Sequence, residues 1–267
     1  NVFTQAHSGP YTVSALKYLI SCSNYKNAKD LYNRREEEDK IALKQFSIKE
    51  IVNLGFTDAL FRRNKSKAII PERNHLYPSY YNGVIGQVND SDNTETQLSE
   101  KLREIVPSDA IVFCPLAIGN HVDHIITRQA CQTLENTIVY YSDFPYSIKN
   151  TLSDIEMNNY EVMDLEIDLA IKNDTVSLYK TQYQNLFHQN DMPEHTEQYL
   201  LKKETVYEVC TTSEINNEIT QQWLQLWEKS NNSNPINSPY WLLSYINTFK
   251  PKKYTIIGVY KNDQLSG

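Results

Sequence analysis

The chain has 267 residues and a mass of 31.1 kDa, with 40% hydrophobic and 22% charged residues, enough for one large domain or one domain and part of another. The formal net charge is −7 and the acidic residues are spread along the chain, which argues against nucleic acid or an anionic membrane surface as a partner. Apolar stretches such as 110–118 are far shorter than the roughly 20 residues that cross a bilayer, so no membrane insertion is expected.

The cysteines and the chain ends carry two further expectations. Four cysteines lie far apart without a CxxC pair, which predicts free thiols and a reducing, cytoplasmic setting. The chain begins without Met inside a strand-like stretch, and it stops after an alternating run, 254–260, and a polar turn, where a hairpin partner should follow. Both patterns are typical of a piece cut from a longer protein.

The first third of the chain predicts an opening strand at 1–4, a charged helix at 33–46 and a short strand at 50–54. A turn at 55–58 follows the short strand. The polar stretch 75–90 is longer than most loops in compact domains, which leaves two interpretations, a binding role or a tolerated surface insertion.

The middle of the chain predicts a strand, a helix and a second strand in close succession. A helix at about 96–105 comes first, and the continuous apolar run 110–114 then predicts a central strand buried on both faces. Residues 122–134 read as a helix and 137–141 as the next strand. Because such a unit closes as a right-handed parallel crossover, we expect a doubly wound α/β sheet.

The last part of the chain changes in composition near residue 213, where Asn, Glu and Gln become frequent. We therefore expect a boundary between 205 and 215, with a first domain at 1–210 and a partial α+β second domain at 211–267. The elements predicted on either side are a strand at 160–168, a helix at 169–187, a helix at 239–249 and a strand at 254–260.

The sequence His121-Val122-Asp123-His124 stands just beyond the central strand, at the edge where open α/β sheets bind ligands. Two imidazoles and a carboxylate around one helical turn form a compact donor set for zinc. The spacing fits a capped helix start equally well, with Asn120 as N-cap, Asp123 compensating the helix dipole, and two exposed histidines without a role.

The segment around these residues, FCPLAIGNHVDHIITR at 113–128, resembles the second signature of the LmbE/PIG-L family of zinc-dependent N-deacetylases. The resemblance spans roughly residues 1–205 and implies a Rossmann-like, mostly parallel sheet with flanking helices. Further blocks that resemble the family stand in its order, namely NVFTQA at 1–6, Arg35-x-x-Glu38, LGFTD at 54–58, YSDFPY at 141–146 and YKTQ at 179–182.

The resemblance implies a role for each residue. His124 would be a zinc ligand, and His121 would polarise or protonate the reacting amide. Asp123 would orient a histidine, while Arg35 and Asp58 would face an N-acetylglucosamine-type sugar or conjugate. The reaction implied is metal-assisted hydrolysis that releases acetate and a free amino sugar.

Simpler interpretations remain for two of these residues. Arg35 could form a surface pair with Glu38, worth roughly 0.2–0.5 kcal/mol. Asp58 could serve only as a turn residue.

The family's first motif, H-P-D-D-E, supplies its other zinc ligands and its general base, and it is absent from this chain. His188 and Asp191 copy only the outer spacing of that motif and are a poor substitute. Because a catalytic zinc needs about three protein ligands, this stretch by itself is expected to bind metal poorly and to be inactive, with the other ligands expected upstream of Asn1.

Two further expectations concern the C-terminal part and the alternatives. Residues 234–267 weakly resemble the beginning of a GNAT-type acyltransferase domain, without an acyl-CoA motif.

The main alternative to a deacetylase is a metal-free domain of the LmbE/PIG-L fold that binds carbohydrate or acts as a scaffold. A phosphoesterase is disfavoured because the chain lacks the additional ligands of a two-metal site.

Overall fold

The computed structural model describes residues 1–46, 48, 50–64, 68–80, 84–149, 160–187, 192–202, 207–213, 215–230, 234–251, 254–261 and 264–265. Its helices are α1 Val13–Ser21, α2 Ala28–Leu43, α3 Pro71–Asn74, α4 Thr94–Ile105, α5 Val122–Cys131, α6 Tyr146–Lys149, α7 Leu169–Ser177, α8 Lys180–Phe187, α9 Asn217–Lys229 and α10 Pro239–Phe249. Its strands are β1 Phe3–Gln5, β2 Phe56–Thr57, β3 Ile111–Pro115, β4 Thr137–Tyr141, β5 Tyr160–Leu165, β6 Glu197–Lys202, β7 Tyr207–Thr212, β8 Ile256–Lys261 and β9 Gln264–Leu265.

The predicted crossover is confirmed and forms the centre of the fold. Strands β3 and β4 pair in parallel, with Phe113 opposite Val139, and α5 connects them. Strand β6 then pairs antiparallel with both β4 and β5, so the sheet has the order β3-β4-β6-β5 and is mixed. Strands β1 and β2 form a separate parallel pair.

Two apolar clusters hold these elements together. The first packs α1 and α2 around Phe61, whose ring has edge contacts with Tyr11 and Tyr32. The second packs α4 and α5 on one face of the mixed sheet and contains Leu98 and Ile126. Each fully buried side chain of this kind stabilises the folded state by about 1.5–3 kcal/mol.

Strand β3 is not buried on both faces, contrary to the sequence-based expectation. Helices α4 and α5 cover the face that carries Cys114, whereas Phe113 on the opposite face is 59% exposed. That face borders an open cavity of about 250 Å³ that Ile257 and Val259 of β8 also line. The apolar composition predicted burial, but in the described part of the chain the second face has only this loose cover.

Other boundaries differ for local reasons. Helix α1 was not predicted, although Thr12 caps it by accepting a hydrogen bond from the N–H of Ala15 at 3.1 Å. The strand expected at 50–54 lies instead at β2, which pairs with β1. The single helix expected at 169–187 is divided into α7 and α8.

The C-terminal part contains a small sheet of its own, β7-β8-β9, with antiparallel pairing. Strand β9 pairs antiparallel with β8, and it begins at Gln264, which the sequence analysis had placed in the turn before an expected hairpin partner. Strand β7 spans the predicted boundary at 210/211 and pairs with β8, so its pairing groups it with the C-terminal sheet. Among the described helices, none is both long and apolar enough to cross a membrane.

Candidate functional site

The HVDH residues lie where β3 has ended and α5 begins. The connecting loop places two residues with side chains in the left-handed region, Ala117 at φ 63° and Asn120 at φ 53°. This conformation costs roughly 1–2 kcal/mol for such a residue. The carbonyl of Asn120 accepts a hydrogen bond from the N–H of Gly86 at 2.9 Å, which ties the long polar loop to this turn. Backbone strain of this kind is concentrated at functional sites.

His124 is held by a carboxylate that the sequence reasoning did not single out. Its Nδ1 lies 2.5 Å from Oδ1 of Asp143, whose side chain is 1% exposed, while the His124 side chain is 35% exposed. The other oxygen of Asp143 accepts a hydrogen bond from the N–H of Ile118 at 3.1 Å. Because Nδ1 is directed at the carboxylate, Nε2 is the nitrogen available to a ligand.

His121 is the N-cap of α5, which is the position that the simpler interpretation gave to Asn120. Its Nδ1 accepts a hydrogen bond from the N–H of Asp123 at 3.2 Å, so a neutral ring carries its proton on Nε2. Burial lowers the pKa of His121 to about 4, against the opposing effect of Asp58. The ring is therefore neutral at pH 7 and can donate a hydrogen bond from Nε2.

Asp123 is buried, and its carboxylate contacts groups other than the histidines. One oxygen accepts a hydrogen bond from the N–H of Ala59 at 3.0 Å, and the other pairs with the guanidinium of Arg62. Burial, together with the charge of Asp58, raises the pKa of Asp123 to about 7, against the opposing effect of Arg62. Only the backbone N–H of Asp123 has a hydrogen bond to a histidine among the described residues.

Asp58 precedes the short 3-10 turn Ala59–Phe61 and accepts a hydrogen bond from the N–H of Leu60 at 2.9 Å. This is the turn chemistry of the simpler interpretation. The same carboxylate is close enough to His121 to oppose the lowering of its pKa. Asp58 therefore combines a local role in the turn with a place beside the histidines.

Arg35 does not form the surface pair with Glu38 that the simpler interpretation offered. Its Nη2 donates a hydrogen bond to the hydroxyl of Tyr18 at 2.6 Å, and its guanidinium lies over the rings of Tyr18 and Tyr32 at 5.5 and 5.1 Å from the centroids. Glu38 pairs instead with Arg34 at 3.4 Å. Burial raises the pKa of Tyr18 and Tyr32, and the charge on Asp58 raises it further. Arg35 and Asp58 therefore both act on the same pair of tyrosines.

The residues missed at the sequence level are Asp143, Tyr146 and Arg62. The block YSDFPY, at 141–146, contains the first two and was recognised only as a piece of the resemblance. Its position just beyond β4 could have indicated a contact with His124, since the carboxyl ends of parallel strands meet at one edge of a sheet. No comparable signal marked Arg62.

The donor set fits part of a zinc site. A histidine whose second nitrogen is hydrogen-bonded to a buried carboxylate is the usual arrangement of a metal ligand, and His124 has this arrangement. Within the described residues, no group of three or more His, Cys, Asp or Glu side chains is placed to hold a metal ion. His188 and Asp191 lie outside the described residues.

The comparison with known proteins agrees with this fold. The model of the PIG-L family, described as GlcNAc-PI de-N-acetylase, matches residues 15–134. No curated protein matches the chain at a significant level.

Several solved structures have the same architecture. A deacetylase of teicoplanin biosynthesis in a bog complex matches with a TM-score of 0.58 and 18% identity, over 75% of this chain and 84% of that one. The zinc-inhibited form of teicoplanin deacetylase Orf2 matches with a TM-score of 0.54 and 17% identity, over 75% and 85%. A deacetylase–teicoplanin complex matches with a TM-score of 0.54 and 17% identity, over 75% and 84%. The protein therefore has the fold of the PIG-L deacetylases.

Proposed function

We propose that the protein removes the N-acetyl group of an N-acetylglucosamine-type sugar or conjugate in a zinc-dependent reaction. The observation that carries this proposal is the His124–Asp143 pair, in which a buried carboxylate holds Nδ1 of a partly exposed histidine. The fold of the PIG-L deacetylases supports the reaction class, and the neighbours that act in teicoplanin biosynthesis support an N-acylated small molecule as substrate.

We assign His124 as one zinc ligand and Asp143 as the residue that orients it. The remaining protein ligands are proposed to come from outside the described residues, since these contain no complete donor group. When bound, zinc supplies a Lewis acid for the amide carbonyl and activates water for the attack. Asp143 keeps the His124 ring in one tautomer and one orientation.

His121 is proposed to stabilise the charge that develops on the amide oxygen. Its neutral ring, with the proton on Nε2, is a hydrogen-bond donor that needs no prior protonation. Asp123 is proposed to act on His121 through its backbone N–H, and its carboxylate holds the turn that carries Asp58. Asp58 and Arg35 are proposed to face the sugar.

The test measures acetate release from N-acetylglucosamine conjugates by the natural protein with zinc supplied. His124→Ala should lower kcat/KM by more than the roughly 10- to 100-fold loss that removal of a supporting hydrogen bond causes. His7→Ala is the matched control, because His7 is exposed and belongs to no part of the proposed site. Unchanged acetate release in His124→Ala would refute the assignment.

A second candidate is a carbohydrate-binding or scaffolding domain without metal. It is favoured by the lack of a complete metal donor group among the described residues. Binding of N-acetylglucosamine conjugates without acetate release, in the presence of zinc, would support this candidate. Zinc-stimulated acetate release would exclude it.

The C-terminal sheet and helices α9 and α10 are proposed to begin a second domain of GNAT type, with the boundary between residues 205 and 215 that the sequence predicts. The antiparallel pairing of β7, β8 and β9 among themselves supports a separate unit. The proposed cytoplasmic location follows from the widely spaced cysteines. Failure of the natural protein to bind acyl-CoA would argue against an acyltransferase.

A further inference from the structure

The aromatic ring of Tyr146 adjoins both histidines of the site. Its centroid lies 5.5 Å from that of His124 in an edge-to-face arrangement at 79°, and 6.3 Å from that of His121. Tyr146 begins α6, three residues after Asp143 in the sequence. The same short segment thus supplies both the carboxylate that holds His124 and a ring beside it.

The position of this ring depends on Gly119. A Cβ atom added at Gly119 would lie 2.2 Å from Cδ1 and 2.4 Å from Cγ of Tyr146, which is far inside van der Waals contact. The ring therefore rests directly on the backbone of the turn that precedes the HVDH residues. Any side chain at position 119 would displace it.

Contact with the backbone of Gly119 and with the two imidazole rings fixes the place of the Tyr146 ring. The ring therefore forms one wall of the site beside His121 and His124.

We propose that Tyr146 is the specificity-determining residue that limits the hydrolysed acyl group to acetyl. This inference rests on the proposed N-deacetylation. The amide carbonyl must come within hydrogen-bond reach of His121 and close to His124, so the acyl carbon chain lies beside the ring that adjoins both. A methyl group fits beside a fixed wall, whereas each added methylene must displace it.

The size of the effect follows from apolar pockets in general. Two substrates that differ by one methylene in an apolar pocket typically differ by about 10- to 200-fold in kcat/KM. Tyr146→Ala should therefore raise the ratio of kcat/KM for the N-propionyl over the N-acetyl substrate by at least about tenfold. Tyr146→Phe should keep the wild-type ratio, because the ring and its seat on Gly119 remain.

The experiment compares N-acetyl, N-propionyl and N-butyryl derivatives of one glucosamine conjugate with the wild type and each variant. Gly119→Ala, which moves the ring without removing it, should also change the ratio. Tyr245→Ala is the matched control, since Tyr245 is 41% exposed on α10. Circular dichroism on each variant establishes that the fold is retained.

A wild-type ratio in Tyr146→Ala, with acetate release still measurable, would overturn the inference and leave the proposed function intact. If the wild type releases no acetate, the proposed function fails, and binding decides the inference separately. The same three derivatives then compete for binding in NMR titrations. If the preference for the N-acetyl derivative disappears in Tyr146→Ala, Tyr146 limits the size of the acyl group. An unchanged preference overturns the inference.

Discussion

At the scale of residues, the group that holds His124 is Asp143, which lies 19 residues further along the chain. The resemblance assigned the orientation of a histidine to Asp123, the nearest carboxylate in the sequence. In the fold, the Asp123 carboxylate faces Arg62 and Ala59, while Asp143 arrives from the end of β4. The carboxylate nearest to His124 in the sequence is therefore not the one that contacts its ring.

Asp143→Asn tests that division. The amide keeps the shape of the carboxylate but removes its charge, so it holds Nδ1–H of His124 less strongly. We expect a loss of about 10- to 100-fold in kcat/KM for acetate release and in zinc affinity, the range typical of carboxylates that support a ligating histidine. Asp164→Asn is the control, because Asp164 is exposed and hydrogen-bonds only Gln198 among the described residues. Equal effects of the two substitutions would contradict the role of Asp143.

At the scale of elements, helix α2 shows how a charged segment can be partly buried. The Glu38 side chain is 1% exposed and accepts hydrogen bonds from the hydroxyl of Thr181 at 2.7 Å and from its N–H at 3.2 Å. Thr181 lies in the first turn of α8, so the carboxylate caps that helix and joins α2 to it. In the sequence, the charged run of α2 looks fully solvent-exposed, but Glu38 within it is buried and holds two helices together.

Glu38→Ala should therefore be strongly destabilising, whereas Glu37→Ala should not. Loss of the charge-assisted hydrogen bonds of Glu38 is expected to lower the free energy of unfolding by about 1.5–3 kcal/mol. Glu37 is 63% exposed and, within the described residues, forms only a surface pair with Arg34, so its removal should change that free energy by less than about 0.5 kcal/mol. Urea denaturation of the two variants measures the difference, and similar values would show that Glu38 does not hold the helices together.

At the scale of the whole molecule, Arg62 connects the two layers that carry the site. Its guanidinium is buried, donates to the carbonyl of Thr57 in β2 at 2.9 Å, and pairs with Asp92 at 2.5 Å and with Asp123 in α5. Burial alone would lower the pKa of Arg62, but the two carboxylates raise it. One cation thus compensates two buried acids and links the β1–β2 pair to the helix of the HVDH residues.

Arg62→Met should leave those two carboxylates without a cation. Removing one partner of a buried ion pair costs about 3–5 kcal/mol, because the remaining charge stays desolvated. Because the pKa of Asp123 is already raised to about 7, it can take up a proton when Arg62 is absent, so we expect a loss towards the lower end of that range in the free energy of unfolding from urea titrations at pH 7. Arg103→Met, at an exposed position on α4, is the control and should have little effect. A loss below about 1 kcal/mol in Arg62→Met would show that the acids are accommodated by other groups.

The sequence by itself determined the crossover β3–α5–β4, helices α4 and α10, and the position of the HVDH residues beyond a central strand. Predicted and observed limits agree to within a few residues there, because hydrophobic periodicity and strand length are local properties of the chain. It also singled out His121 and His124, whose ring centroids lie 5.2 Å apart in the fold, and Asp58, whose charge acts on His121.

Only the tertiary structure decided which polar and charged groups are partners. Asp143 meets His124 across 19 residues, Arg62 meets Asp123 across 61, and Glu38 meets Thr181 across 143. Such pairings depend on where the chain returns after each strand and helix, and no local pattern encodes that. The same reason explains the exposed face of β3 and the ring of Tyr146 on Gly119, since burial and close contact are set by the elements that pack above a residue.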